Sequence, residues 1–247
     1  MNLFTVITVT YNAEHTLART MKSVQEQTYS HIEHIIVDGN SIDGTVDLIK
    51  MLETEQTNWV SEKDKGIYDA MNKATAMATG NYICYLNAGD TFYDENTVEK
   101  LITTAQQYHL PDILYGETVV VNNEGKFLHN RRLKAPERLN WKSFKQGMLV
   151  CHQAFIVKRR LFEPYDLTYR FSADVDWCIR LMKKSKSIVN SHQVMIKYLN
   201  EGVTTANRKA SLKERYRIMT KHYGAISTLL HHAWFVVRAI LKPEKKN

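Results

Sequence analysis

The sequence predicts an α/β fold built on a parallel sheet covered on both faces by helices, and three observations predict it. Short β-branched apolar runs recur through the N-terminal part of the chain. Between them, apolar residues return at the three-and-four spacing of a helix. Each run ends in a loop rich in Asn, Asp, Gly and Ser, so ligands are expected at the carboxyl ends of the strands.

Taken in order, Leu3 to Thr10 is the first strand, and Tyr11-Asn12 turns it into a helix marked by Leu17, Met21 and Val24. Ile35-Ile36-Val37 is a short buried strand, broken by DGNSIDGT, after which Val46, Ile49 and Leu52 mark a second helix face. Trp59-Val60 is a third strand, Ile67 to Met77 a helix with Met71 and Ala74 inward, and Tyr82 to Leu86 a fourth strand. Past residue 110 the pattern becomes mixed. Ile113 to Val121 and Lys126 to Leu128 form a strand pair around Asn122-Asn123-Glu124-Gly125, and Ala154 to Val157 is another strand. Asp174 to Leu181 is helical, Ile188 to Tyr198 extended, and the chain is helical from Arg208 onward.

The 247 residues, 44% apolar and 24% charged with only 10 Gly and 4 Pro, exclude a disordered or collagen-like chain. Cys84, Cys151 and Cys178 are odd in number and lack any C-x-x-C pair, which argues against a disulfide framework and a thiolate zinc site and favours a reducing compartment. No basic leader precedes the first apolar run and no run is long enough to span a bilayer, so neither a cleavable signal nor a spanning helix is expected. The net charge of +7 is uneven: residues 1 to 100 carry 7 Lys and Arg against 15 Asp and Glu, and residues 101 to 200 carry 16 against 8. An acidic front suits a metal and a basic back suits an anionic surface, although solvated faces explain both equally well. No nucleic-acid recognition module is present, and nucleic acid is not an expected partner.

The four strand-end loops hold the candidate chemistry. Thr10-Tyr11-Asn12 offers an aromatic face and hydrogen-bonding groups for a base, and Asp38 offers a carboxylate to a pyrimidine imide. Alone, DGNSIDGT reads more readily as a tight turn with a helix cap. In Asp64-Lys65-Gly66-Ile67-Tyr68-Asp69-Ala70-Met71-Asn72, Asp69 and Asn72 share a helix face. Leu86-Asn87-Ala88-Gly89-Asp90 ends a strand with one carboxylate, enough for Mn²⁺ or Mg²⁺ when substrate phosphates supply the other ligands.

These residues resemble the inverting family 2 glycosyltransferases. Their GT-A fold joins a Rossmann-like nucleotide-binding half with a mixed central sheet to an acceptor-binding half, here followed by C-terminal helices. The resemblance runs from residue 3 to residue 205 and is carried by VITVTYNAEHTLARTMKSVQEQTY, VDGNSIDGT, SEKDKGIYDAMNKATAMATGNYICYLNAGD and SADVDWCIRL. It is strongest toward the branch that builds bacterial surface polysaccharides such as O-antigen and colanic acid. It implies a nucleotide-sugar half over residues 1–110, an acceptor and catalytic-base half over 111–205 in the same compact domain, and basic, amphipathic C-terminal helices over 206–247.

By the same resemblance, Thr10, Tyr11, Asn12 and Asp38 line the base pocket. Lys65, Gly66, Asp69 and Asn72 hold the nucleotide and its phosphates, and Asn87, Gly89 and Asp90 complete the set, with Asp90 the metal ligand. Asn87 stands where the family's first signature acid is usual, which puts strict metal dependence in doubt. Asp174 is the implied general base. Asp176 is the runner-up base and, with His152, an acceptor-side candidate; two residues on from Asp174 it cannot point the same way, and capping the helix or pairing with Arg180 is its readier reading; the usual preceding glutamate is Ala173. His152 matches a position near the acceptor, and Asn200-Glu201-Gly202-Val203-Thr204 matches a loop that closes over the donor.

The implied activity is inverting transfer of a hexose from a UDP-sugar to a hydroxyl of a lipid-linked oligosaccharide; a catalytically silent nucleotide-sugar-binding scaffold is the alternative. In the tail, Ile226, Leu230, Ala233, Val237 and Leu241 make one helical stripe beside Trp234 and Phe235, with Arg208, Lys209, Lys213, Arg215, Arg217 and Lys221 before it and Arg238, Lys242, Lys245 and Lys246 around its end. The pattern suits a cytoplasmic protein lying peripherally on an anionic membrane, or equally a helix packed on its own domain or on a second copy in a homodimer.

Overall fold

A computed structural model describes residues 3–200 and 207–241. Its first half alternates as the sequence predicts: β1 (Phe4–Thr10), α1 (Leu17–Gln25), β2 (Ile32–Asp38), α2 (Thr45–Leu52), β3 (Thr57–Ser61), α3 (Ile67–Met77) and β4 (Tyr82–Tyr85). These are followed by β5 (Thr91–Phe92), α4 (Thr97–Gln107), β6 (Ile113–Val121), β7 (Phe127–Asn130), β8 (Phe155–Lys158), α5 (Ala173–Lys184), β9 (Ile188–Leu199), α6 (Arg208–Tyr223) and α7 (Ala225–Leu241). The strands form one mixed sheet in the order β3-β2-β1-β4-β8-β6-β9-β5, with β7 paired to β6.

β1 and β2 are buried at every position, as strands covered on both faces must be. Their parallel register sets Thr10 opposite Asp38 and Asp38 opposite Ser61, so three strands end in one row. β4 joins the far side of β1, and its following loop continues the row through the Ala88 N–H, which reaches the Val9 carbonyl at 3.5 Å. On β4 the antiparallel β8 takes over, bringing the second half of the chain onto the same sheet.

Two elements have no counterpart in the sequence reading. β5 is two residues long, too short for any periodicity to register. α4 does carry a legible stripe, Val98, Leu101, Ile102 and Ala105, all buried. In α2 the buried positions are Thr45 and Ile49, while Val46 and Leu52 are half-buried, because the helix leans on a small cluster of Leu17, Met21 and Ile36.

The largest departure is α7. Its expected apolar stripe faces outward, with Ile226 80%, Leu230 65%, Trp234 53% and Val237 43% exposed. The face it turns inward carries Thr228, His231, His232 and Phe235, with the Thr228 hydroxyl donating to the Gly224 carbonyl at 2.8 Å and His232 edge-on to Tyr216. The helix is amphipathic in the reverse sense of one packed on its own domain. No helix among the described residues is long and apolar enough to cross a membrane.

Candidate active site

At the row of strand ends, three loops are tied to one another. The Asp38 carboxylate is fully buried and accepts from Ser41 N–H at 2.9 Å, the Ser41 hydroxyl at 2.5 Å and the Ser61 hydroxyl at 2.6 Å. Asp38 thus organises the loop, as the turn reading of DGNSIDGT anticipates, and its committed oxygens make direct pairing with a base a secondary role. Asn12 adopts a left-handed φ of 49° and links the loops: its N–H donates to Ser41 Oγ and its side-chain oxygen accepts from Ile42 N–H. Tyr11 is 61% exposed, a free aromatic shelf beside Gly39, where a Cβ would meet Asp64 Oδ2 at 2.6 Å. Thr10 is buried, and its hydroxyl has no hydrogen-bond partner among the described residues.

The third loop enters α3 through Gly66, at φ 116°. Asp64 accepts from Gly66 N–H and Asp69 from Lys65 N–H, leaving the Lys65 side chain exposed at the rim. Asn72 departs from its expected phosphate role. Both polar atoms of its carboxamide are spent on the Tyr165 backbone, at 3.1 and 2.7 Å, and Tyr165 in turn packs between Tyr68 and Trp177. Asn72 reaches the site only through that packing.

Asp90 is buried, with one oxygen accepting from Leu199 N–H and the other from the Gln153 carboxamide, each at 2.8 Å. The preceding Gly89 needs its φ of 99° and its missing side chain, because a Cβ would lie 2.6 Å from Leu199. Burial pushes the Asp90 carboxyl up to about 6, against the lowering effect of those hydrogen bonds and of His152 and Arg19. The raised value means that this acid contributes stability below the unfolded pKa near 3.8 and loses it as pH rises through about 6, on the order of 3 kcal/mol in all. In melting curves against pH, Asp90→Asn should lack that acid-side gain; an unchanged profile would contradict the assignment.

A divalent cation fits this corner in part. The Asp90 oxygens retain lone pairs beyond their two hydrogen bonds, and the Asn87 side-chain oxygen is buried with no partner among the described residues. No group of three or more His, Cys, Asp or Glu that would hold a metal occurs among the described residues, so substrate oxygens would have to complete the shell. Arg19 of α1 flanks the same corner. Its Nη1 donates to the Asn122 and Asn123 carbonyls, while Nε and Nη2 are buried without partners among the described residues.

Asp174 lies in the first turn of α5. The Tyr68 hydroxyl donates to its Oδ1 at 3.0 Å, and His152 Nδ1 lies 3.5 Å from Oδ2, long for a hydrogen bond but within ion-pair range. Burial alone would raise this carboxyl; His152, Arg215 on α6 and the Tyr68 hydroxyl together hold it below its ordinary value, so it is ionised at neutral pH. Asp176 points away, completely buried against Arg180 Nε at 2.6 Å, His222 Nε2 at 2.8 Å and Lys221 Nζ at 3.1 Å. Its expected acceptor role gives way to the structural pairing: it ties α5 to α6.

One short 3-10 turn, His152–Ala154, links the two acids. Its His152 addresses Asp174 and its Gln153 addresses Asp90. Only the tertiary fold brings Tyr68, Gln153 and Arg215 to these acids. Of the expected closing loop, residues 201–204 lie outside the described residues, as do Lys242, Lys245 and Lys246.

A mixed sheet with its candidate residues gathered in the loops at the strand ends is the architecture of an α/β enzyme that binds its ligand there. The comparisons agree. The model of glycosyl transferase family 2 matches residues 5–165, and the chain belongs to that family. A PGL/p-HBAD biosynthesis glycosyltransferase of Mycobacterium tuberculosis is 29% identical over 205 residues, covering 81% of this chain and 77% of the relative. The UDP-Glc:alpha-D-GlcNAc-diphosphoundecaprenol beta-1,3-glucosyltransferase WfgD of Escherichia coli is 25% identical over 225 residues, covering 88% and 85%. Among solved structures, S. aureus TarS 1-349 in complex with UDP-GlcNAc superposes with a TM-score of 0.69 at 18% identity, covering 88% of this chain and 64% of that one. S. aureus TarS 1-349 alone gives 0.71 at 14% identity, covering 99% and 75%. The fold is therefore GT-A.

Proposed function

We propose that this glycosyltransferase moves a hexose from a UDP-sugar, with inversion, to a hydroxyl of a lipid-linked saccharide in bacterial surface glycan synthesis. The observation that carries the reading is the single turn that holds His152 on Asp174 and Gln153 on Asp90. A displacement needs a proton acceptor on one side of the anomeric carbon and charge stabilisation for the leaving diphosphate on the other. The Asp174 end supplies the first; the Asp90, Asn87 and Arg19 corner suits the second, with Lys65 at the rim. Mn²⁺ or Mg²⁺ bound there would neutralise the departing diphosphate. The Tyr11 face and the Asn12–Ser41 link form the shelf for the base. WfgD, whose name specifies UDP-Glc and a diphosphoundecaprenol acceptor, and TarS, crystallised with UDP-GlcNAc, support a UDP donor.

A panel of nucleotide sugars scored by melting temperature tests the donor. A bound donor stabilises by about 2.7 kcal/mol at a hundred times its Kd, so UDP-sugars should raise the melting temperature, more so with Mn²⁺, and GDP-sugars should not. No shift with any UDP-sugar would contradict the reading.

The outward apolar face of α7 extends it to an anionic bilayer, where a lipid-linked acceptor resides. α7 carries no acid, and the one acid of α6, Glu214, is occupied by the Arg170 and Phe171 N–H groups, whereas Lys209, Lys213 and Arg217 of α6 are exposed. Exposed apolar side chains beside uncompensated cations suit anionic headgroups. The protein should co-sediment with vesicles containing phosphatidylglycerol, and Leu230→Ser with Trp234→Ser should weaken this at least about tenfold. Dimerisation through α7 without vesicle binding would instead assign the face to a second copy.

A further inference from the structure

We propose that Arg215 of α6 binds a phosphate of the acceptor, so that the accepted substrate carries its phosphate close to the hydroxyl that attacks. The inference rests on the transferase reading above and deepens it. α6 lies across the start of α5: the Ser211 and Ser172 hydroxyls meet at 2.9 Å, and Glu214 accepts from the Arg170 and Phe171 N–H groups at 2.8 Å each. Ser211 and Arg215, four residues apart, share a helix face. The contact that sets Ser211 on Ser172 therefore turns Arg215 toward the first turn of α5, where Asp174 lies, in keeping with the share of Arg215 in holding that carboxyl down. Arg215 is half-buried, and its Nε is enclosed with no partner among the described residues. Neither neighbouring acid is available to it. Glu214 is held by two backbone donors, and the Asp174 oxygens face Tyr68 Oη and His152 Nδ1. A partly desolvated guanidinium without a bound carboxylate is costly to the free protein, and its planar fork fits a phosphate with two hydrogen bonds.

The anion belongs to the acceptor and not to the donor, because Asp174 takes the proton of the attacking hydroxyl while the leaving diphosphate is assigned to the Asp90 corner. The order of parts also matches a lipid-linked molecule. His232 of α7 meets Tyr216, next to Arg215, edge-on at 5.1 Å, so the helix with the outward apolar face runs beside this stretch of α6. Apolar face, guanidinium and base then follow one another as lipid, phosphate and sugar do in the acceptor. A phosphate at Arg215 with a hydroxyl at Asp174 places the reaction on a sugar near the lipid end, not at the far end of a long chain.

Farnesyl diphosphate, titrated by calorimetry into the chain saturated with UDP, tests this, with farnesol as the phosphate-free control. Expected is saturable binding of farnesyl diphosphate, at least tenfold tighter than farnesol, and weakened about 10- to 100-fold in Arg215→Ala with the UDP-induced rise in melting temperature kept. Equal affinity in wild type and Arg215→Ala, or a wild type that binds UDP but not farnesyl diphosphate, would overturn the proposal. Bilayer headgroups are the other source of phosphate. If Arg215→Ala loses binding to phosphatidylglycerol vesicles while keeping its affinity for farnesyl diphosphate, the residue serves the membrane surface and the proposal fails. Should Arg215→Ala lose the UDP response, Arg215→Gln, uncharged and nearly as long, carries the test: weakening of at least tenfold supports the proposal, unchanged affinity overturns it. A wild-type chain that binds no UDP overturns the transferase reading as well.

Discussion

Asp174→Asn should reduce turnover by about 100- to 10,000-fold while leaving UDP binding unchanged, read as kcat and as the UDP-induced shift in melting temperature. The substitution conserves shape and removes charge. Asp174 is flanked by two donors, Tyr68 Oη and His152 Nδ1, and a carboxamide cannot accept from both with equal strength. If its amide nitrogen faces His152, the ring must present a lone pair at Nδ1 and carry its hydrogen on Nε2. A carboxamide, moreover, cannot take up the acceptor's proton. Nothing near Asp38, Tyr11 or Asn12 is touched, so the nucleotide shelf should persist. Turnover within tenfold of wild type would remove Asp174 from the chemistry.

Asp176→Ala, two residues along the same helix, should do the opposite. It removes the shared partner of Arg180, Lys221 and His222 from a position with no solvent exposure. Arg180 keeps Glu163 and Lys221 keeps Asp166, which tempers the loss. A destabilisation of about 3 kcal/mol follows, or roughly 6–12 °C in melting temperature for a chain of this size, with kcat of the folded protein within a few-fold of wild type. Although burial opposes it, hydrogen bonds from His222, Arg180 and Lys221 hold the Asp176 carboxyl far below its ordinary value. The stability it contributes is therefore present above the unfolded value of 3.8 and lost as pH falls below it. A melting temperature unchanged in Asp176→Ala would show that the cluster is not what ties α5 to α6.

The strands and the loops at their ends were legible because their signals are local: alternating elements, a strand followed by Asn87-Ala88-Gly89-Asp90, and a helix over Asp174 to Leu181. What side chains do inside those loops was less so. Asn72 and Asp38 each spend their side-chain polar atoms on partners that only tertiary folding supplies, the Tyr165 backbone and the Ser41 and Ser61 hydroxyls. The pairing of Asp176 with Arg180 was readable from its spacing of four, whereas Lys221 and His222 come from another helix. The α7 stripe was visible as a stripe, but periodicity does not say which way it faces, and it faces out. The link between the acids was hidden for the same reason. Nothing in Cys151-His152-Gln153 indicates that His152 and Gln153 reach two acids far apart in the chain.

The central claim is a single displacement in which Asp174 and Asp90 act on opposite sides of the anomeric carbon. It is tested most directly by following hydrolysis of the tight-binding α-linked UDP-sugar by proton NMR, with water standing in for the acceptor, before the free sugar equilibrates. Inversion delivers the β-anomer first, and Asp174→Asn should suppress its appearance. The α-anomer appearing first would contradict the account, as would an undiminished rate in Asp174→Asn.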